Sequence, residues 1–211
     1  MSTSPIVRGL CADDGVPVAS ACAGSRRHVL AIPGSLRKRS YNRALLEEAR
    51  RLAPAGMEIA VHDLGGLPLY DPDVEAAGDP LPVRDLKAAV AAADGVLIAT
   101  PEYNRGTSGV LKNALDWLSR PPRASVLEGK PVAVIGGGGG GATRRAQEQV
   151  RAALGHPRAQ VVDGTEVALG RVWQLFDDDR LTDPAAREKL RQLLTELLHA
   201  THRPDCELAA A

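Results

Sequence analysis

The amino-acid sequence predicts an α/β fold in which a doubly wound parallel sheet of five strands carries helices on both faces. Three features of the chain support this prediction. Five short apolar runs rich in β-branched residues occur after His28, and they alternate strictly with five segments of helical periodicity. The roughly 170 residues that contain this alternation suit five strands better than six.

The predicted strands are nearly continuous in apolar character, which is typical of parallel strands covered on both sides. They comprise residues 29–32, 58–62, 95–100, 131–135 and 159–162. Since strands that are joined through helices run parallel, a sheet of this size is expected to have the flavodoxin-like order 2-1-3-4-5.

The predicted helices carry apolar residues three and four positions apart. They comprise residues 42–53, 83–93, 109–119, 143–154 and 184–199. The last helix has the clearest start signal, because Asp183 is a favourable N-cap and Pro184 suits the first helical position. Its apolar stripe consists of Leu190, Leu193, Leu194, Leu197 and Leu198.

A single domain accounts for most of the chain. We expect a flavodoxin-like domain over residues 28–203, a disordered extension over residues 1–27 and a C-terminal tail over residues 204–211. Residues 1–27 are rich in Ser, Ala, Gly and Cys and show neither hydrophobic period. The cysteines Cys11, Cys22 and Cys206 lie near the two ends, so they predict no disulfide framework and favour a reducing, cytoplasmic setting.

Composition and charge argue against several classes of function. The 211 residues contain 26 basic and 26 acidic side chains of interleaved sign, which predicts no basic surface for nucleic acid or for an anionic membrane. No apolar run reaches the roughly 18 to 20 residues that a bilayer span needs. The five histidines lack the spacing of metal ligands, so no metal site is expected.

The loop after the first strand is a candidate phosphate site, because ligands of a doubly wound sheet bind at the carboxyl ends of its strands. Residues 33–42 contain a glycine, two serines and three cations, and they lead directly into a helix. N–H groups at a helix start, hydroxyl groups and cations suit a phosphate monoester better than they suit a plain capping loop. The loop lacks the Gly-Lys-Ser/Thr end of a Walker A motif.

The loop after the third strand, residues 100–109, combines a stiff proline, a tyrosine, an amide and two glycines. These residues suit a planar heterocycle that rests on the backbone with its edge hydrogen-bonded. Proline, asparagine and glycine are also ordinary turn residues, so this loop alone favours neither interpretation. Trp117 on the following helix is expected to be a core or subunit-contact residue.

Six consecutive glycines, residues 136–141, follow the fourth strand. The run satisfies the G-x-G-x-x-G pattern of dinucleotide sites, with Asp163 after the next strand as the acidic partner. Any glycine run satisfies that pattern, however, and the pattern belongs to the first strand–helix turn of a dinucleotide fold. We therefore expect a loop that lets a ligand or a partner subunit approach the backbone closely.

Several groups of residues share the spacing of one enzyme family. They are Gly34-Ser35-Leu36-Arg37 with Ser40 and Asn42, Pro68-Leu69-Tyr70-Asp71, Thr100-Pro101-Glu102-Tyr103-Asn104, Leu111-Lys112-Asn113-Ala114-Leu115-Asp116-Trp117, and Gly129-Lys130-Pro131. In this combination the chain resembles the NAD(P)H-dependent FMN reductases, whose members include quinone, azo-dye and chromate reductases. The resemblance extends from His28 into the last helix.

The resemblance implies a flavodoxin-like fold that binds FMN non-covalently, with NAD(P)H as co-substrate and a flavin, quinone or similar small molecule as electron acceptor. The residues it implies for the FMN phosphate are Ser35, Arg37, Ser40 and Asn42. Those it implies for the isoalloxazine ring are Pro101, Glu102, Tyr103 and Asn104, with Gly138 at the ring edge. Hydride chemistry belongs to the flavin, so no catalytic side chain is expected, and Glu102 has a structural or binding role.

Two other classes of function stay open at this point. One is an FMN-binding sensing or regulatory protein without fast turnover, and the other is a Rossmann-type NAD(P) oxidoreductase that uses the glycine run. Members of the resembling family are usually oligomers, so a homodimer or homotetramer is expected. The candidates for a pocket around the 2′-phosphate of NADPH are Arg105, Arg144 and Arg145, which the sequence does not rank.

Overall fold

The computed structural model describes residues 26–202. All but the last two residues of the predicted N-terminal extension, the whole predicted tail and the three cysteines lie outside this range. The division into an extension, a domain and a tail therefore stays a prediction.

A parallel sheet forms the centre of the domain. Its path runs β2-β1-β3-β4-β5, which confirms the predicted order. The strands are β1 (Arg27–Pro33), β2 (Met57–Val61), β3 (Gly95–Ala99), β4 (Pro131–Gly137) and β5 (Gln160–Val161). All four pairs of neighbours are parallel, with Val29 opposite Gly95 and Val96 opposite Val132 in the central register.

Helices cover both faces of this sheet. They are α1 (Tyr41–Leu52), α2 (Pro72–Ala77), α3 (Leu81–Ala92), α4 (Gly109–Leu118), α5 (Arg144–Gly155) and α6 (Pro184–Ala200). Asp183 caps α6 as predicted, since its carboxylate accepts a hydrogen bond from the Ala186 N–H at 2.7 Å. Among residues 26–202, no helix combines the length and apolar character needed to cross a membrane.

Two apolar cores lie on opposite sides of the sheet because side chains alternate along each strand. Val29 and Ala31 face α1 and α6, whereas Leu30 and Ile32 face α3, α4 and α5. Four leucines of the predicted α6 stripe are fully buried and Leu198 is partly buried. Each fully buried leucine contributes about 1.5–3 kcal/mol of transfer free energy, so the stripe fixes α6 on the sheet.

The segment between β5 and α6 contains short elements that hydrophobic periodicity did not predict. They are β6 (Ala168–Leu169), a 3₁₀ turn (Val172–Gln174), β7 (Phe176–Asp177) and β8 (Arg180–Leu181). β6 pairs with Gly136 and Gly137, so the first two glycines of the run belong to β4. The predicted end of this strand at residue 135 was therefore too early, because a second edge partner extends the ladder.

Candidate functional site

A cleft of about 310 Å³ opens where the carboxyl ends of β1, β3 and β4 meet. Its lining residues are Arg37, Tyr41, Asn42, Pro101, Glu102, Tyr103, Gly137, Gly138, Gly139, Val172 and Trp173. The three loops singled out in the sequence all contribute to this lining. The cleft therefore lies at the position where a doubly wound sheet binds its ligand.

The loop after β1 leaves several backbone N–H groups without a protein acceptor. Within the described chain, no oxygen accepts a hydrogen bond from the backbone N–H groups of Leu36, Lys38 and Arg39. The Ser35 hydroxyl accepts from the Arg37 N–H at 3.3 Å, and Ser40 caps α1. Free N–H groups beside a helix start form a site for an anion.

Arg37 supplies a cation at this anion site. Its guanidinium lies 5.9 Å from the ring centroid of Tyr41, and Tyr41 packs on Phe176 of the β7–β8 hairpin at 5.5 Å. No carboxylate among residues 26–202 pairs with Arg37. The Tyr41 ring supports one face of the guanidinium and leaves its N–H groups available for a ligand.

Asn42 links the first loop to the glycine loop. Its amide nitrogen donates to the Gly137 carbonyl at 3.0 Å, and its amide oxygen accepts from the Gly137 N–H at 2.9 Å. The residue is 4% exposed. Both side-chain atoms are thus engaged with the protein, so Asn42 positions the glycine loop against the start of α1.

Replacing Asn42 by alanine is expected to weaken both the fold and the cleft. The change leaves the buried N–H and carbonyl of Gly137 without partners, at a cost of about 1–3 kcal/mol for each unsatisfied group. Urea denaturation followed by circular dichroism measures the loss of stability, and calorimetry with FMN, the ligand that the sequence resemblance implies, measures the effect on the cleft. An unchanged free energy of unfolding would contradict the linking role of Asn42.

The loop after β3 begins with a close contact between two loops. A Cβ atom added to Gly34 would lie 2.9 Å from the Pro101 Cδ and 3.0 Å from the Ala99 carbonyl oxygen, so only glycine fits there. The Ser108 hydroxyl also donates to the Gly34 carbonyl at 2.6 Å. These contacts set the spacing between the first and third loops of the cleft.

A tight turn brings Tyr103 to the rim of the cleft. The backbone groups of Tyr103 and Gly106 exchange two hydrogen bonds, and Asn104 and Arg105 between them both have positive φ. This is the pattern of a type I′ turn, which asparagine tolerates well. The Thr107 N–H donates to Gln149 of α5 at 2.7 Å and fastens the turn. Tyr103 is 56% exposed on this fixed support.

Glu102 lies at the start of α5 and not on the solvent side of the turn. Its carboxylate accepts a hydrogen bond from the Ala146 N–H at 3.3 Å. Thr143 precedes α5 with positive φ and makes no capping bond of its own, so Glu102 supplies the negative charge that a helix start favours. This contact accords with a structural role for the carboxylate.

The glycine loop and the segment after β6 close the far side of the cleft. The Gly138 N–H donates to the Leu169 carbonyl at 2.9 Å, and the Gly138 carbonyl accepts from the Val172 N–H. A Cβ atom on Gly139 or Gly140 would meet nothing within 4 Å, so the loop offers bare backbone. Trp173 follows Val172 and is 53% exposed.

Trp117 belongs to the interior, in agreement with the interpretation favoured from the sequence. It is fully buried, and its indole N–H donates to the Pro68 carbonyl at 2.9 Å. Its ring meets Tyr70 edge to face at a centroid distance of 5.0 Å. The Tyr70 hydroxyl in turn donates to Glu75 at 2.8 Å.

Electrostatics stabilise the same network around the loop after β2. Burial would raise the pKa of Glu75, but the hydrogen bond from Tyr70 and the Arg120 guanidinium at 2.9 Å together lower it below its usual value. Asn113 bonds the backbone of Pro68 and Tyr70 as well. The result is a rigid loop from which Leu69 projects with 82% of its surface exposed.

Most of the site residues named from the sequence lie in the cleft. The residues that line it are Arg37, Asn42, Pro101, Glu102, Tyr103 and Gly138. Ser35 is buried at the base of the first loop, Ser40 lines an adjoining depression with Arg37, and Asn104 lies in the turn beside Tyr103. Sequence reasoning missed Tyr41, Val172 and Trp173. The one signal available in the sequence was a tryptophan in a segment without hydrophobic periodicity.

The comparisons with known proteins agree on one family. Residues 27–174 match the family described as NADPH-dependent FMN reductase. An NAD(P)H-dependent FMN reductase of Pseudomonas aeruginosa is 45% identical over 171 residues, which cover 80% of this chain and 92% of that protein. A quinone reductase of Pseudomonas putida is 39% identical over 154 residues, which cover 71% and 81%.

A solved structure shares the fold at appreciable identity. The flavoenzyme FerB of Paracoccus denitrificans, an NAD(P)H:(acceptor) oxidoreductase, superimposes with a TM-score of 0.76 at 32% sequence identity. The match covers 83% of this chain and 97% of FerB.

Proposed function

The chain belongs to the NADPH-dependent FMN reductase family, and from this premise we propose that its cleft binds FMN and passes hydride from NAD(P)H to a quinone, a flavin or a similar small acceptor. The protein is an oxidoreductase of the quinone reductase kind. One observation above all supports this position for the FMN site. The loop after β1, with its free N–H groups and Arg37, lies next to the bare backbone of the glycine loop at the switch point of the sheet.

The first loop fits the phosphate of FMN. A phosphate monoester needs N–H donors, hydroxyl groups and cations. The loop provides the unpaired N–H groups of Leu36, Lys38 and Arg39, the hydroxyls of Ser35 and Ser40, and the Arg37 guanidinium. Asn42 contributes indirectly, since its side chain holds the glycine loop against α1.

The remaining lining fits a planar ring system. Pro101, Glu102 and Tyr103 form one side, and the glycine loop around Gly138 forms the other. Within the described residues, the N–H groups of Glu102 and Asn104 have no acceptor and are available to the edge of a heterocycle. The ring would be held largely by backbone groups.

The chain itself positions the reactants. FMN, when bound, supplies the chemistry that accepts hydride from NAD(P)H and donates it to the acceptor. Glu102 is committed to the start of α5 and acts as a positioning residue. Tyr103 and Trp173 line the cleft and are both more than half exposed, so they are the side chains that successive substrates would contact.

The comparisons and the site disfavour the Rossmann-type alternative. A dinucleotide fingerprint belongs to the first strand–helix turn, whereas the glycine run here begins within β4, since its first two residues are part of that strand.

A sensing protein without fast turnover would use the same FMN site. It would differ in excluding nicotinamide from the open side of the cleft.

An anaerobic absorbance titration tests the proposed function. Protein reconstituted with FMN is expected to lose its flavin absorbance on addition of NADPH and to regain it on addition of a quinone. A colourless protein would overturn the FMN site. Bound FMN that resists both NADPH and NADH would favour the sensing role.

A matched pair of variants, each reconstituted with FMN, tests the phosphate site. Arg37→Ala is expected to weaken FMN binding about tenfold or more, because charge-assisted hydrogen bonds contribute roughly 1.5–3 kcal/mol. Arg191→Ala, on the exposed face of α6, serves as the control of equal charge. Equal FMN affinity in the two variants would contradict the role of Arg37.

We further infer that the protein is a homodimer or homotetramer of the cytoplasm. Support for self-association comes from Leu69, which a rigid loop presents to solvent, and from the exposed Leu81 and Val74 nearby in sequence. Static light scattering on the FMN-loaded protein measures the number of subunits. A monomer across the micromolar range would contradict this inference.

A further inference from the structure

A depression of about 640 Å³ adjoins the cleft beside the first loop. It shares Arg37 and Tyr41 with the cleft, so the two hollows are continuous across this pair. Polar residues form much of its remaining lining, namely Lys38, Arg39, Ser40, Asp178 and Asp179. The first loop and the start of α1 therefore form one wall, and the β7–β8 hairpin forms the other.

The two walls carry opposite charges. Arg37, Lys38 and Arg39 belong to the loop wall, and Asp178 and Asp179 belong to the hairpin wall. All five residues are exposed. No ion pair among residues 26–202 joins one wall to the other. An anionic group that binds the loop wall is therefore attracted by the near cations and repelled by the carboxylates that face them.

The hairpin turn has a fixed position on α1. Phe176 at its start packs on Tyr41 at a centroid distance of 5.5 Å, and Arg180 at its end pairs with the buried Glu48 at 3.4 Å. Asp178 has a φ of 47° in the two-residue turn between the paired strands. Aspartate and asparagine tolerate this conformation better than most residues do. The two aspartates are thus carried on a supported turn beside the first loop.

The phosphate of FMN would lie at the loop wall, because the free N–H groups and the serine hydroxyls belong to the same loop. A phosphate monoester carries a charge of about −1.5 to −2 near neutral pH. Its repulsion by a carboxylate needs no contact, since charges interact through solvent over roughly a Debye length. The affinity for a phosphorylated flavin therefore depends on both walls.

We propose that Asp178 and Asp179 lower the affinity of the cleft for FMN and so reduce its preference for FMN over riboflavin, which has the same ring system and no phosphate. This proposal rests on the proposed function, since it concerns the flavin of the same cleft. The two carboxylates act through space and touch no reacting atom. They determine flavin specificity and are not catalytic residues.

Flavin binding by the double variant Asp178→Asn with Asp179→Asn tests the proposal. Asparagine keeps the size of the side chain and accepts the positive φ at residue 178, so the hairpin is expected to stay folded. At about 10 mM salt, FMN is expected to bind about threefold to tenfold more tightly to the variant than to the parent, because two screened repulsions are removed. The affinity for riboflavin is expected to stay unchanged.

Salt and a matched control separate this local effect from the change in net charge. At about 1 M salt, where the Debye length is only about 3 Å, the gain in FMN affinity is expected to vanish. Asp73→Asn with Asp85→Asn removes two exposed aspartates of α2 and α3, which lie outside the depression. This control is expected to bind FMN as the parent does. Stopped-flow mixing is expected to show faster FMN association in the hairpin variant alone, as removal of a repelling rim charge gives.

Each other outcome of the calorimetric comparison is decisive. Unchanged FMN affinity, or an equal gain for FMN and riboflavin, would overturn the proposal, as would an equal gain in the control. Weaker FMN binding would show that the carboxylates support the cations and would overturn it too. If the parent protein bound neither flavin, the proposed function would fail and this inference would fail with it.

Discussion

Gly136→Ala is expected to destabilise the protein by about 3 kcal/mol or more, because overpacking against backbone cannot be relieved by a side-chain rotation. An added Cβ atom would lie 2.4 Å from the Thr100 carbonyl oxygen and 2.5 Å from the Thr143 hydroxyl oxygen. The Thr100 backbone after β3 must move away from β4, and the Thr143 side chain must shift at the start of α5. Both movements open the cleft, so FMN affinity is expected to fall with stability.

Urea denaturation of the apoprotein, followed by circular dichroism, measures this loss. The glycine run provides its own control, because a Cβ atom on Gly140 would meet nothing within 4 Å. Gly140→Ala is expected to keep the stability of the parent to within about 1 kcal/mol. If the two alanine variants unfolded at the same urea concentration, the close approach at Gly136 would not be a constraint on the fold.

Glu48→Ala is expected to have the second large effect on stability. Glu48 is 0% exposed in the middle of α1, and its carboxylate pairs with Arg51 at 3.1 Å, with Arg180 at 3.4 Å and with Arg187. Removing one partner of a buried ion pair costs about 3–5 kcal/mol. The partly exposed arginines can recover some hydration, so we expect the lower end of that range.

The loss is expected to reach the cleft through the hairpin. Arg180 lies on β8, and Arg187 also donates to the Leu181 carbonyl at 2.9 Å. Glu48 thus fastens the β7–β8 hairpin to α1, and Phe176 of that hairpin packs on Tyr41 beneath Arg37. Glu48→Ala is therefore expected to bind FMN more weakly, because the packing of Phe176 on Tyr41, and of Tyr41 on Arg37, becomes looser.

Glu47→Ala is the matched control for this prediction. Glu47 is the neighbouring carboxylate on α1, and it pairs with Arg50 one turn away at 2.7 Å on the partly exposed side. Such a pair contributes about 0.3–0.5 kcal/mol. If the two variants lost the same unfolding free energy, burial of Glu48 would not determine how much its ion pairs contribute to stability.

The parallel sheet could be predicted because its central strands β1, β3 and β4 are buried on both faces. Continuous apolar runs such as Gly95–Ala99 differ clearly from the amphipathic segments between them. The five predicted helices begin and end within two residues of the observed ones because each has an amphipathic face. The strict alternation of five strands and five helices was wrong, since the short helix α2 precedes α3 and buries no residue that would give an apolar period. Two-residue strands such as Ala168–Leu169 contain no period at all, so only tertiary pairing defines them.

The candidate site could be predicted where a loop directly follows a long strand. Arg37 and Pro101 are found this way, since the carboxyl ends of neighbouring parallel strands meet. Val172 and Trp173 could not be placed, because they reach the cleft through the pairing of β6 with Gly136 and Gly137. Asn42 could be named, but only the structure reveals that both atoms of its amide bind Gly137.

The two tryptophans of the chain occupy opposite environments, and this makes intrinsic fluorescence a two-part reporter. Trp117 is enclosed in the interior, so its emission changes when the domain unfolds. Trp173 is half exposed on the cleft, so its emission responds to whatever occupies the cleft. A single emission spectrum can therefore distinguish a protein that has lost its ligand from one that has lost its fold.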